Sequence, residues 1–204
     1  MVFPVFARRG IPRISLDLIH PVSQIRARAR DASLVIGFSL VIGLSAQAAI
    51  PLPFTPVPVT LQTLAVLLAG ALLGSGRGTI AVLLYLGEGL SGLPVFAGGG
   101  AGVSHLVGPT GGFLFGFIPA AYVVGRTVEQ GWTRSAISIL AVLVLGNACI
   151  YIPGLAWLGA FVGFSRVLSL GLMPFLAGDL LKIAAGSGLI SAASLATAKA
   201  AARR

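Results

Sequence analysis

Between Asp31 and Arg126 the chain has only two formally charged side chains, Arg77 and Glu88, and between Arg134 and Lys199 only three, Arg166, Asp179 and Lys182. About a quarter of a soluble domain is charged, against 9% here, so stretches this apolar belong in lipid. A helix crossing the hydrocarbon core takes about 20 residues, and the roughly 170 residues after Arg30 therefore supply about six crossings with short connections. The expected spans are 31–50, 59–75, 79–95, 111–130, 134–155 and 173–198. Turns at Pro51, Pro53, Pro56 and Pro58, at Gly74, Ser75, Gly76 and Gly78, and at Gly98, Gly99, Gly100 and Gly102 separate the first four. The fold class that follows is an all-α integral membrane protein of six transmembrane helices. It divides into a basic cytoplasmic tail over 1–30, a six-helix membrane domain over 31–198 and a basic cytoplasmic end over 199–204.

A net charge of +9 would suggest a nucleic-acid partner in a soluble chain; here it reflects retention of bases on the cytoplasmic side, and no nucleic acid is expected. With six spans and the N-terminus inside, Arg8, Arg9, Arg13, Arg26, Arg28, Arg30, Arg77, Arg126, Arg134, Lys199, Arg203 and Arg204 all fall on the inner side. Arg166 falls outside and Lys182 within a span. A five-span chain would put the C-terminal bases outside, so both termini are expected to be cytoplasmic, in a multi-pass protein of the bacterial cytoplasmic membrane. Ala46-Gln47-Ala48 after the apolar run Leu34 to Leu44 resembles a signal-peptidase site, but the basic region before it is unusually long and the later spans make a bundle only if the first is kept.

Charged groups inside spans cost roughly 2.5 to 3.5 kcal/mol each at mid-span, which makes Glu88, Asp179 and Lys182 candidates for function. Asp179 and Lys182 are three apart, on one helical face, just after Pro174 and Gly178 and so near the outer end of the last span. They form either an internal ion pair, a ligand site, or both. Asn147 and Tyr151 share a face of the fifth span with Trp157 beyond them, while Tyr85 and Glu88 share a face of the third, which Phe96 ends. An amide, carboxylates, an ammonium and aromatic rings thus converge toward one end of a small bundle. They describe a pocket for a small molecule with an apolar body and a few polar handles.

Other signals point to packing or exclude chemistry. Gly70 with Gly74, Gly112 with Gly116 and Gly159 with Gly163 match the small-xxx-small pattern, but 28 glycines produce about four such pairs by chance. Ser33 with Gly37, then Ser39 with Gly43, form a small-residue track along the first span that lets another helix approach closely. No G-x-x-x-x-G-K-[ST] loop holds phosphates, so ATP-driven work requires another subunit. The single cysteine, Cys149, excludes an internal disulfide and a Cys-based zinc site. His20 and His105 have no second ligand nearby, and neither a metal nor a catalytic role is expected; His105, beside Ser104, reads as a loop residue.

Four ordered motifs carry a resemblance. The segments Ile50-Pro51-Leu52-Pro53-Phe54-Thr55-Pro56-Val57-Pro58-Val59-Thr60-Leu61-Gln62-Thr63, Leu93-Pro94-Val95-Phe96-Ala97-Gly98-Gly99, Gly108-Pro109-Thr110-Gly111-Gly112-Phe113 and Pro174-Phe175-Leu176-Ala177-Gly178-Asp179-Leu180-Leu181-Lys182 resemble those of the BioY proteins, the biotin-binding S components of energy-coupling factor (ECF) transporters. The likeness runs from about Ala46 to Ala184. It implies a six-helix ECF S-component fold that binds biotin with high affinity from outside, with Pro51, Pro53, Pro56 and Pro58 in a lid loop. Asp179 and Lys182 would match the polar ligand contacts of the last helix, and Glu88 falls in a third-helix region contributing to the site. The first-helix docking motif for a transmembrane coupling subunit, which works with two cytoplasmic ATPase subunits, would fall on Ser33, Gly37, Ser39 and Gly43. These depart from the family's Ala-x-x-x-Ala form.

Biotin suits such a pocket. Its ureido ring offers one carbonyl acceptor and two N–H donors for Lys182 or Asn147 and for Asp179 or Glu88. Its apolar parts suit Phe96, Tyr151 and Trp157, and its carboxylate needs a donor from Lys182, Arg166, His105 or the amides of the glycine run. Biotin would be the transported ligand, with no cofactor. Polar partners left unpaired without ligand would cost about 1 to 3 kcal/mol each. The competing readings are an S component for another vitamin such as thiamin or riboflavin, an intramembrane enzyme using Asp179, Lys182 and Glu88, and a scaffold subunit with an empty, collapsible core. The expectation is a transport subunit rather than an enzyme.

Overall fold

The computed structural model describes residues 21–132 and 135–202. Arg8, Arg9, Arg13, His20, Arg134, Arg203 and Arg204, counted above among the tail and loop residues, lie outside them. The described residues fall in two compact units divided after Ser33. In the first, helix α1 (Pro21–Gln47) begins about ten residues before the expected span, inside what was read as a tail. Pro21 stands at its start, where a missing N–H costs nothing, and the alanine- and arginine-rich run after it favours helix. Arg30 lies 3.8 Å from Asp31, and the Ser33 hydroxyl donates to the Ala29 carbonyl at 2.8 Å.

The second unit holds the rest of α1, a two-residue β1 (Ala49–Ile50) and β2 (Val59–Thr60), then α2 (Gln62–Leu90), α3 (Val103–Val107), α4 (Gly111–Glu129), α5 (Ala136–Val162), α6 (Val167–Gly171) and α7 (Leu176–Ala202). Among the described residues, five helical stretches are long and apolar enough to cross a membrane, measured end to end: Ile25–Gln47, Gln62–Leu90, Gly111–Glu129, Ala136–Val162 and Val167–Ala193. Leu72, Ile80, Leu83, Val144, Ile152, Phe161, Leu180 and Leu181 face outward, a surface that suits lipid and would aggregate in water.

α2 is a helical hairpin. Gly74 takes φ 84° and ψ 174°, open to glycine alone, and the chain turns back there. In a straight helix Gly70 and Gly78 would be about 12 Å apart. Instead, a Cβ at Gly78 would meet the Ala69 carbonyl and the Gly70 Cα at 2.8 Å, and at the far end Gln62 Nε2 donates to the Tyr85 hydroxyl at 2.6 Å. The two legs are therefore antiparallel. Glu129 of α4 caps the turn, its carboxylate accepting from the Ser75 amide at 2.7 Å and from the Ser75 hydroxyl. Gly70 against the Ala121 carbonyl and Gly125 against the Ser75 backbone let α4 lie directly on the hairpin. α4 packs on α5 in turn, and α7 closes against α2 and α5.

Element ends differ from expectation for local reasons. The second crossing starts at Gln62, because the proline-rich segment forms an antiparallel hairpin pairing Ala49 with Thr60 and Ile50 with Val59. Pro153 does not end α5, which runs on to Val162, and Leu176 opens α7 after a short 3-10 turn at Met173–Phe175.

Candidate functional site

At the loop end of the second unit lies a cavity of about 520 Å³, within the range of small-molecule sites. Its roof is the proline hairpin. Pro51, Leu52, Thr55, Pro56, Val57 and Pro58 line it, and Thr55 and Val57 are buried. Pro53 does not line it. The Val57 amide donates to Thr55 Oγ1 at 3.3 Å, fixing the turn of the roof. Closing a hairpin with two paired residues and many prolines makes a stiff flap rather than a coil.

The polar floor comes from the first turns of α7. Asp179 is 5% exposed; its Oδ1 accepts from Lys182 Nζ at 3.0 Å and its Oδ2 accepts from the Tyr151 hydroxyl of α5. Lys182 Nζ also donates to Thr63 Oγ1 of α2 at 3.2 Å. Three helices are thereby tied at one point, and both carboxylate oxygens are paired within the protein. The internal ion pair left open by the sequence is thus present, and these polar groups satisfy one another without a ligand. Gln62 is braced likewise, between Tyr85 and the Thr60 hydroxyl at 3.3 Å.

An aromatic wall continues from there. Phe96, fully buried, meets Tyr85 edge-on at 5.6 Å between centroids and stacks on His105 at 5.5 Å with 21° between planes. A Cβ at Gly89 would occupy the Phe96 ring, and one at Gly100 the His105 ring, so these two glycines make room for the wall. Phe113 meets Tyr151 edge-on at 6.0 Å and completes the far side with Phe117, Ile150 and Phe175.

Of the eight side chains singled out from sequence as ligand contacts, Asp179, Lys182, Tyr151 and Phe96 line this cavity. Tyr85 stands behind it, holding Gln62. Three lie elsewhere. Trp157 is on the outer side of α5, where Nε1 donates to the Gly108 carbonyl at 2.9 Å and its ring packs on Gly112, so it holds a wall loop. Asn147 is one helical turn below Tyr151, 7% exposed, with its Oδ1 buried and without a partner among the described residues. Glu88 points toward α1, where its Oε1 accepts from Ser39 Oγ at 2.6 Å. A helix turns about 100° per residue, and the three positions from Tyr85 to Glu88 carry the latter around toward α1.

The first-helix docking residues also separate. Ser39 is fully buried on Glu88, and Gly43 lies under Val95 and Tyr85, so these two face inward and offer nothing to a partner. Gly37, two residues and about 200° away, is exposed with open space above it.

Sequence reasoning missed Gln62, Thr63 and Phe113 as site residues, and read His105 as a loop residue and one of several candidate donors to a carboxylate. Gln62 and Thr63 lie within the quoted Pro51 to Thr63 motif, and a polar pair opening an apolar helix was the available signal. Phe113 likewise closes the quoted Gly108 to Phe113 motif, but nothing in its spacing set it apart from the other ten phenylalanines.

A helical membrane protein with a small-molecule cavity at one end has the build of a substrate-binding transport component. The BioY family profile matches residues 20–199, and the chain belongs to the BioY family. It is thus a membrane transport protein rather than an enzyme. It is 38% identical over 157 residues to the probable biotin transporter BioY of Pyrococcus horikoshii, covering 77% of this chain and 91% of that protein. With the biotin transporter BioY of Rhodobacter capsulatus it shares 40% identity over 176 residues, 79% of this chain and 91% of the other. Among solved structures, the S-component for biotin from an ECF-type ABC transporter superposes with a TM-score of 0.73 at 25% identity, covering 81% of this chain and 90% of that one.

Proposed function

We propose that this chain binds biotin in the cavity under the proline hairpin and takes it up across the membrane as the substrate-specific subunit of an ECF-type transporter. The observation that carries the reading is the paired Asp179–Lys182 floor in a mainly apolar cavity, in a chain whose relatives are biotin transporters. Adjacent acceptor and donor suit the N–H and C=O of a ureido ring, and Phe96, Phe113, Tyr151 and Phe175 suit the thioether ring and valeryl chain. In this reading Asp179, Lys182, Tyr151 and Phe96 touch the ligand, Tyr85 and Trp157 hold the wall, and the loop of Pro51, Pro53, Pro56 and Pro58 is the lid. A cavity of this size argues against the scaffold reading, which expects a collapsed core.

The fold-back at Gly74 supports counting α2 as two crossings, making six in all and leaving both termini in the cytoplasm. A bacterial cytoplasmic membrane is the location proposed. A transmembrane coupling subunit and two cytoplasmic ATPases are the partners, since the chain has no phosphate-binding loop of its own. On α1, Gly37 with exposed Ile36, Leu40, Val41 and Leu44 is the face open to them.

Calorimetric titration of ligand-stripped, detergent-purified protein with biotin tests the reading. One-to-one binding, lost in Asp179→Ala, is the expected result; no heat with biotin but heat with thiamin or riboflavin would reassign the vitamin.

A further inference from the structure

Resting on the biotin reading, we propose that His105 donates a ring N–H to the ligand's terminal carboxylate and sets the cavity's preference for an anionic tail. The argument starts from what the other donors are doing. Lys182 gives two of its protons to Asp179 and Thr63, and a carboxylate approaching the third would lie beside the Asp179 carboxylate, like charge on like. Gln62 is held by Tyr85 and Thr60, and the Tyr151 hydroxyl by Asp179. The amides of Gly99, Gly100 and Gly102 donate to the carbonyls of Phe96, Ala97 and Gly89, while Gly98, Ser104 and Thr110 also line the cavity but have no stacked ring to orient a donor. Arg166 does not reach the cavity wall.

His105 differs from all of these. It lines the cavity, and no described residue hydrogen-bonds its ring nitrogens. Its ring is nevertheless fixed. It stacks on Phe96, which is locked edge-on against Tyr85, and it fills the space over Gly100 where a side chain would begin. An imidazole held flat on a buried ring, with no hydrogen-bond partner among the described residues, is a donor oriented in advance. A donor that need not be ordered on binding contributes its full hydrogen bond, which is about twice as strong to a carboxylate as to a neutral acceptor. The cavity then has two chemically distinct ends. The charge-balanced Asp179–Lys182 pair suits a neutral polar ring, and the imidazole suits the anion.

The test compares biotin with biotinamide, the same molecule with an uncharged carboxamide in place of the carboxylate, on the full-length protein. In the unaltered chain biotin should bind about tenfold more tightly than biotinamide. His105→Ala should weaken biotin about tenfold while changing biotinamide less than twofold, so that the ratio falls to about one. Gly100→Ala is the second variant. Its backbone, at φ −68° and ψ 155°, accepts alanine, but the new methyl displaces the imidazole, and the ratio should fall in the same way. An unaltered chain that binds both ligands equally, or variants that weaken both equally, would overturn the assignment of His105 while leaving biotin as the ligand. An unaltered chain that binds neither would overturn the biotin reading itself, and with it this one.

Discussion

Glu88 and Asp179 are carboxylates within apolar helices, and their surroundings differ in kind. Asp179 has a cation, a phenol and a second hydroxyl within its cluster, both of its oxygens are paired, and it faces the cavity. Glu88 has one serine, and its Oε2 is buried without a partner among the described residues, away from the cavity wall. Both look alike in a hydropathy profile. The contrast shows that a charge in a membrane helix is a functional candidate chiefly when the fold supplies it with partners aimed at shared space. A carboxylate with a single hydroxyl partner at a helix–helix seam is more simply a local tie, here between α1 and α2.

The strongest way to break this contrast is to dismantle the Asp179 cluster. Asp179→Ala and Lys182→Met each leave the other group buried with its charge uncompensated, which typically costs about 3 to 5 kcal/mol of stability. Each should also weaken biotin at least tenfold, about 1.4 kcal/mol of binding free energy. The double variant should be more stable than either single one, because no lone charge remains, while its affinity stays low. Thermal unfolding in detergent beside calorimetry separates the two effects. Recovery of affinity along with stability in the double variant would mean that the pair is purely structural.

A milder change makes the first site resemble the second. Tyr151→Phe keeps the ring and its edge-on contact with Phe113 but strips Asp179 Oδ2 of its donor, as Glu88 Oε2 already lacks one. A ligand N–H could take that place and recover most of a hydrogen bond to the carboxylate, so the loss in biotin affinity should be only about threefold to fivefold. An affinity loss as large as that of Asp179→Ala, measured in the same titration, would show that the phenol contacts the ligand in its own right.

Much of this was legible in the sequence because charge is scarce in it. Asp179 and Lys182 could be placed on one face from their spacing alone, and Gly74 to Gly78 marked the place where α2 breaks. What could not be read was depth and rotation across helices. Tyr85 and Glu88 share a face by spacing, yet one braces the cavity wall and the other reaches α1, because the face of a helix touches more than one neighbour in a hairpin this close. Ser39 and Gly43 looked like a docking track for the same reason: spacing gives the stripe but not what covers it. His105 could be named only as one of several carboxylate donors, because what singles it out, the stacking on Phe96 and the space over Gly100, depends on how the loop folds over α2.

The smallest expected effect on binding comes from Ser39→Ala, the converse of the changes at Asp179. It removes the only described hydrogen-bond donor to Glu88, leaving both carboxylate oxygens without a described partner at the α1–α2 seam. Stability should fall by about 1 to 3 kcal/mol, the cost of leaving a buried acceptor unsatisfied. Glu88→Gln in the same background should restore part of it, since an amide is cheaper than a carboxylate to hold in an apolar seam without partners. Biotin affinity should stay within about twofold throughout, because the seam lies outside the cavity and Gln47 still ties α1 to the Pro94 and Phe96 carbonyls. If affinity fell tenfold instead, with folding intact, the two carboxylates would belong to one functional network, and the distinction drawn between them would fail.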